Sequence, residues 1–194
     1  AKERINSKYK NPHTIPKRKG KQRSQTQIVA AKKTVGDTLL YEDFANGFPG
    51  TWSMVDLTGT GGWAYSFQGS QGQYVAGWGA DGIINSATSS NGFMILDADG
   101  QNPAQPFTDI EAYFTTAALD FSLSPKVMLT FTQYFFTYYG GEVFVSVSND
   151  GANFTEFDMS EGYAFPDVSP NSLTKNVEIS CIAGGQSAVY IRFH

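Results

Sequence analysis

Short segments of alternating residues dominate the chain from about residue 38 onward. Val127, Leu129 and Phe131 share one side of such a segment, and Val189 and Ile191 repeat the pattern near the end. A period of two is that of a β-strand, whose successive side chains point to opposite faces. The pattern predicts strands over 38–44, 51–57, 63–67, 73–78, 92–97, 111–116, 126–136, 142–148, 154–158, 174–182 and 187–193. With no amphipathic helix among them, these strands predict an all-β fold, an antiparallel β-sandwich of the jelly-roll type.

Turn residues and one cysteine refine this prediction. Asn149, Asp150 and Gly151 separate two predicted strands and indicate a tight hairpin. Cys181 is the single cysteine, so no disulfide can form within the chain. We expect Cys181 to be a small buried residue of the strand over 174–182.

Charge divides the chain into two parts. Eleven of its fourteen Lys and Arg residues lie in the first thirty-three positions, together with one acid, Glu3, which gives a net charge near +10. The remaining residues carry three basic and seventeen acidic side chains, a net charge near −14. The basic segment is poor in large apolar residues and cannot offset the entropy of ordering. We therefore predict a basic arm over 1–36, extended or disordered alone, and a sandwich over 37–194.

The basic arm suggests an anionic partner. Its densest run contains Lys17, Arg18, Lys19, Lys21 and Arg23. These side chains suit an anionic membrane or lipopolysaccharide surface, an acidic groove of a partner protein, or the acidic body of the chain itself. Nucleic acid is not expected, because the attached body would repel it. No apolar run is long enough for a membrane-spanning helix.

Scarcity of histidine argues against catalysis in this portion of the protein. The chain has two histidines, His13 in the arm and His194 at the last position. A Ser-His-Asp hydrolase and a His-rich zinc site therefore lack their main residue. A pair of carboxylates remains an alternative for glycosidic cleavage, since acids are abundant. We expect no enzymatic activity in this portion.

Acidic pairs at strand ends are candidate metal ligands. Glu42 and Asp43 are placed in the first predicted strand, and Asp97 and Asp99 follow a middle strand. Clusters of oxygen ligands suit Ca²⁺, which takes six to eight of them. A structural Ca²⁺ is thus one interpretation, and solvated loop carboxylates are the other. No other cofactor is predicted.

Aromatic residues are the candidates for ligand contact. Exposed Trp and Tyr stack on sugar rings and anchor protein interfaces, whereas buried ones fill a core. Most are expected to be core. Trp78 and Tyr74 lie in a Gly-rich stretch, and Tyr138 and Tyr139 lie at a predicted turn, so these four are the predicted ligand-binding residues.

Three stretches resemble one family. Residues 41–56, including Trp52 and followed by a Gly-rich turn and Trp63, resemble the opening of the cleaved-adhesin and MAM-like jelly-roll domains of Bacteroidetes secreted proteins. Residues 111–120 and 142–154 are similar to a later strand and a later hairpin of those domains. The resemblance covers about 37–194.

The resemblance implies export through the type IX secretion system to the outer cell surface or the medium. It also implies a calcium site in which Glu42 and Asp43 match the first element, while the Asp pair of the family's final strand has no counterpart here. The strand over 187–193 runs to the chain's end, so we expect an incomplete sandwich that continues in a longer protein.

The leading hypothesis is a secreted or cell-surface adhesin-like protein that binds glycan or protein. One alternative is an accessory binding module of a larger secreted hydrolase. Another is a type IX secretion substrate or component whose basic arm docks onto an outer-membrane complex.

Overall fold

Short strands account for most of the regular structure. The computed structural model describes residues 36–72, 82–101, 109–137, 140–163 and 166–194. The strands are β1 (Ser53–Asp56), β2 (Trp63–Ser66), β3 (Phe93–Leu96), β4 (Ala112–Thr115), β5 (Met128–Gln133), β6 (Phe136–Thr137), β7 (Phe144–Ser148), β8 (Thr155–Asp158), β9 (Asp167–Val168), β10 (Leu173–Glu178) and β11 (Tyr190–Phe193). Two single-turn helices, α1 (Ala98–Gln101) and α2 (Ser180–Ala183), and a 3₁₀ turn at Ser89–Asn91 complete the described elements. In these ranges no helix has the length and apolar character required to cross a membrane.

All described strand pairs are antiparallel. Five strands form the main sheet in the order β1-β4-β11-β7-β8, and three two-stranded sheets pair β5 with β10, β2 with β3, and β6 with β9. The expected all-β antiparallel sandwich is therefore confirmed. Since β11 lies in the middle of the main sheet, its side chains reach both the core and the outer face.

The hydrophobic core lies between the main sheet and the β5–β10 pair. One buried cluster contains Val145 and Val147 of β7, Val189 just before β11, Ile191 of β11 and Val177 of β10. Ile191 pairs with Val147 in register, so both side chains point to the same face. The predicted period-two alternation in these segments thus gives the inward face of each strand.

A second packed region consists of aromatic rings around Phe114 of β4. Phe114 is 4% exposed. Trp63 and Phe193 lie with ring centroids 5.1 and 4.8 Å from that of Phe114, and Phe48 and Trp52 both lie at 6.1 Å. Edge-to-face and stacked rings at these distances are favourable. The aromatic cluster joins the loop before β1 to the centre of the main sheet.

The strand predicted over 38–44 is wrong. Glu42 accepts a hydrogen bond from the backbone N–H of Phe44 (2.6 Å), and Asp43 accepts one from Ala45 (3.1 Å). Phe44 has a φ of 56°, in the left-handed region. Side chains that bond nearby backbone in this way replace the strand's ladder with a turn.

Two long predicted strands are shorter than expected. The segment 126–136 breaks after Gln133, where the backbone N–H of Phe135 donates to the Ser169 hydroxyl (2.9 Å). The segment 174–182 ends at Glu178, whose carboxylate accepts hydrogen bonds from the backbone N–H and the hydroxyl of Ser180, and α2 begins there. Cys181 therefore lies in a helical turn and is exposed, so its predicted burial in a strand is wrong.

The hairpin predicted at 149–151 is confirmed, because β7 pairs with β8 across it. The Asp150 carboxylate accepts hydrogen bonds from the backbone N–H groups of Ala152 and Asn153 (both 2.8 Å), the Asn153 amide (2.7 Å) and the Ser148 hydroxyl (2.8 Å). Gly151 has a φ of 76°, which favours glycine. The donors, with the Asn153 backbone N–H the strongest, hold the pKa of Asp150 well below its usual range.

Asp150→Asn is expected to destabilise the fold more at neutral than at acid pH. Because the folded-state pKa is depressed, the charged carboxylate stabilises the fold above the unfolded value of 3.8, and this contribution falls as pH drops toward the folded value. Urea unfolding of both proteins between about pH 7 and pH 2 measures the difference. Asn153→Ala, which keeps the charge but removes one donor, should show a smaller loss. A difference that stays constant with pH contradicts this account.

Candidate binding surface

The face of the main sheet opposite the core carries an arginine, Arg192, between polar side chains of the two neighbouring strands. Arg192 of β11 pairs in register with Thr115 of β4 on one side and with Ser146 of β7 on the other. These three side chains point away from the core, since their neighbours Ile191 and Val147 point into it. We call the side chains on this side of β1, β4, β11, β7 and β8 the outer face.

Arg192 lies between two aromatic rings on the outer face. Its guanidinium carbon is 3.9 Å from the ring centroid of Tyr113 and 3.7 Å from that of Phe154. Tyr113 belongs to β4, whereas Phe154 precedes β8 on the other side of β11, so the rings approach from opposite sides. Each such contact contributes about 0.5–1 kcal/mol when exposed. The two rings fix the plane of the guanidinium.

Hydrogen bonding leaves most of the guanidinium open. Its Nε donates to the hydroxyl of Thr115 at 3.2 Å. Within the described ranges, neither terminal nitrogen of Arg192 has a protein acceptor or an acidic partner, and neither is sealed from solvent. Arginine remains charged at any physiological pH. The outer face therefore presents a fixed cation whose donors are available.

Beside Arg192, Ser146 provides a second polar group. Ser146 is 1% exposed, and its hydroxyl has no hydrogen-bond partner among the described residues. A buried hydroxyl without a partner costs about 1–3 kcal/mol. Such groups in native proteins call for an explanation, and a site for a ligand or water is one.

Further rings and acids surround this centre. His194 lies 6.0 Å from Tyr113 and 6.3 Å from Phe144 between ring centroids, and its Nε2 is 3.5 Å from a carboxylate oxygen of Glu111. Tyr190 lies on the same side as Arg192, two residues before it. At this end of the sheet a shallow cavity of about 220 Å³ is lined by Leu96, Ile110, Glu111, Ala112, Glu142, Phe144 and His194. The surroundings thus combine half-buried aromatic rings with exposed carboxylates.

The predicted acidic residues fall in two separate settings. Glu42 and Asp43 cap the turn before β1. Asp97 follows β3 and accepts hydrogen bonds from the backbone N–H groups of Gln71 (2.7 Å) and Gly100 (2.9 Å), and also from a serine hydroxyl. Asp99 lies in α1. Glu42 and Asp43 therefore bind backbone two residues ahead, and Asp97 binds backbone of the loop after β2 and of α1.

No metal-binding cluster forms in the described ranges: no three His, Cys, Asp or Glu side chains come close enough together to hold an ion. Calcium at Glu42, Asp43, Asp97 and Asp99 remains a prediction. The other predicted site residues lie outside the described residues, namely Trp78, Tyr74, Tyr138 and Tyr139 for ligand contact and Lys17, Arg18, Lys19, Lys21 and Arg23 for an anionic partner.

The sequence analysis did not single out Arg192 or its two rings. One signal was present: Arg192 interrupts an apolar strand and is one of three cations beyond the first thirty-three residues, with Lys126 and Lys175. A lone cation on the outward side of a central strand points to a specific contact. Its partners Tyr113 and Phe154 are remote in sequence, so no local pattern could identify them.

Comparison with known proteins gives one structural neighbour. No protein-family model and no curated protein matches the chain. Among solved structures, the chain is similar to the K1 cleaved adhesin domain of Lys-gingipain (Kgp) from Porphyromonas gingivalis W83. The two chains are 23% identical, the match covers 81% of this chain and 88% of that one, and the TM-score is 0.49. The neighbour is thus a domain of the kind that the three sequence stretches resemble.

Proposed function

We propose that this chain is a non-catalytic, adhesin-like protein of the outer cell surface or the secreted fraction, which recognises a glycan or a protein. The observation that carries the proposal is the outer face of the main sheet, where Arg192 lies between Tyr113 and Phe154. Aromatic rings and arginine are the residues most enriched at the energetic centres of binding surfaces. The resemblance to secreted Bacteroidetes domains supports an extracellular place of action.

The scaffold suits recognition better than chemistry. The outer face is held by five paired strands, and rigid elements keep binding groups in place at low entropic cost. With two histidines in the whole chain, few side chains are suited to acid–base catalysis near neutral pH. Recognition on an open, aromatic surface requires neither a deep pocket nor a titrating group.

Replacing Tyr113 and Tyr190 together with alanine should weaken ligand binding at least about 10-fold, because each ring supplies contact area at low entropic cost. A glycan array and adhesion to intact cells measure the change. Phe67→Ala is the matched control, since Phe67 is 59% exposed and follows β2 in a different sheet. Thermal unfolding checks that each variant is folded. The proposal fails if the wild-type protein binds no glycan and no cell surface, or if the double variant binds as well as the wild type.

A further inference from the structure

The outer face has one charged donor, Arg192, and acidic side chains lie around it. This arrangement limits the chemical class of the ligand. We propose that Arg192 anchors the carboxylate of an acidic sugar, such as a uronic or sialic acid residue, on the outer face. This inference rests on the proposed binding function and names the class of ligand. It concerns side chains of the sheet itself, apart from the aromatic residues predicted from the sequence.

The guanidinium of Arg192 is preorganised to bind a planar anion. Tyr113 and Phe154 lie against its faces, so a ligand can reach Arg192 only at its edge, where the terminal N–H groups point. A carboxylate matches that edge with two parallel hydrogen bonds, and such charge-assisted pairs are about twice as strong as neutral ones. Because the rings already fix the side chain, little rotamer entropy is lost on binding.

The hydrogen bond at Nε sets the direction of approach. Thr115 occupies Nε from the β4 side, which leaves the two terminal nitrogens as the free donors. On the β7 side, Ser146 keeps an unpartnered hydroxyl next to Arg192 in register. This hydroxyl is sealed from solvent, so a ligand on the outer face meets the terminal nitrogens of Arg192 and not Ser146. The hydroxyls of Ser124 and Thr137 are buried without a partner among the described residues in the same way, so the proposal rests on Arg192 and its two rings.

Charge around Arg192 favours a ligand with an isolated carboxylate. Glu156 pairs in register with Ser146, one strand beyond it, and Glu111 and Glu142 lie at the end of the sheet beside His194. A polyanion would meet repulsion from these acids, whereas a single carboxylate needs only the one cation. The acids themselves accept hydrogen bonds from hydroxyl groups. A sugar that bears one carboxylate and several hydroxyls satisfies both requirements.

Aromatic side chains favour a sugar over a peptide carboxylate. Tyr190 and Phe144 are half-buried on the same face as Arg192 and offer apolar surface on either side of it. The apolar side of a pyranose ring stacks on such rings, which also holds its hydroxyls toward neighbouring acids. A peptide C-terminus would use the arginine alone, so it is the alternative that the test must separate.

The test compares ligands that differ only in the carboxylate. Binding of methyl glucuronide, its methyl ester and methyl glucoside to the wild-type protein is measured by NMR titration, and an array of sialylated and uronic-acid glycans with neutral counterparts extends the set. Arg192→Gln should weaken acidic-sugar binding about 10- to 100-fold, and Arg192→Lys should weaken it less. Lys126→Gln, which removes a cation that interacts with Glu178 of β10 in a different sheet, should leave it unchanged. The ester comparison needs no variant and so stands even if an Arg192 variant does not fold.

Each outcome separates this inference from the broader proposal. Preference for the acid over the ester and the neutral sugar, lost in Arg192→Gln, is the expected result. Equal binding of acidic and neutral sugars, or full binding by Arg192→Gln, overturns the inference and leaves the binding function standing. Binding of peptide carboxylates without any sugar also overturns it. Absence of binding to every glycan and cell surface overturns both.

Discussion

Replacing Phe114 with alanine is expected to lower the free energy of unfolding by about 3–5 kcal/mol. Phe114 is 4% exposed and lies at the centre of the aromatic cluster, in contact with Trp63, Phe193, Trp52 and Phe48. Truncation removes buried apolar surface and leaves a cavity between rigid rings that cannot collapse into it. Both effects act in the same direction, which explains the size of the expected loss.

Chemical denaturation of the wild type and Phe114→Ala measures this loss as a shift in the urea midpoint. Phe67→Ala serves as the matched control, because the same atoms are removed from a ring that is 59% exposed. The control should change the free energy of unfolding by under about 1 kcal/mol. Similar losses in the two variants would show that the aromatic cluster around Phe114 does not hold the loop before β1 against the sheet.

Replacing Ile191 with alanine is expected to cost about 2–5 kcal/mol. Ile191 is 3% exposed, belongs to the central strand of the main sheet, and packs in the core with Val147 and Val189. Its backbone is fixed on both sides, with its carbonyl accepting a hydrogen bond from Thr116 at 2.9 Å. The strand therefore cannot shift to fill the space, and the cavity persists.

Leu123→Ala is the control for Ile191→Ala, because Leu123 is 55% exposed and loses a similar number of carbon atoms. The same urea titration compares the two. A loss below about 1 kcal/mol in Ile191→Ala would mean that β11 is not at the centre of the sandwich. In that case Arg192, its outward neighbour, would lose the support on which the outer face depends.

Alternation along the sequence was sufficient to predict the strands that line the core. In β5, β7 and β11 the apolar residues at every second position point inward, because burial of one face fixes the phase of a strand. Charge asymmetry likewise predicts a basic arm apart from the body, and this division remains a prediction because residues 1–35 lie outside the described residues. Hydrophobic alternation is a local property and net charge is a sum over residues, so both can be obtained from a single sequence.

Other features depend on individual side chains that a period cannot report. Glu42 accepts a hydrogen bond from the backbone of Phe44, and a turn replaces the strand predicted over 38–44. Glu178 accepts one from the backbone of Ser180, where β10 ends. Both acids occupy positions where an alternating pattern tolerates any polar residue. Whether a strand continues depends on whether such a side chain takes a backbone donor from the strand's ladder. This competition depends on geometry rather than on polarity.

The binding surface depends on contacts between distant parts of the chain. Arg192 meets Tyr113 and Phe154 only because β4, β11, β7 and β8 are neighbours in the sheet. Strand order is set by the whole fold, and the sequence patterns predicted strands without their order. For this reason the sequence analysis selected aromatic residues of predicted loops, which remain a prediction, and did not identify the combination of rings and charge on the outer face.

The most direct test of this account is an NMR titration that follows the Arg192 side-chain Nε–H signal while methyl glucuronide is added. We expect this signal and the backbone amides of Tyr113, Thr115 and Ser146 to shift together and to saturate at one ligand concentration. Methyl glucoside should leave them unchanged at the same concentration. Shifts confined to other parts of the chain, with the Arg192 signal unmoved, would contradict the claim that the outer face of the main sheet is where recognition takes place.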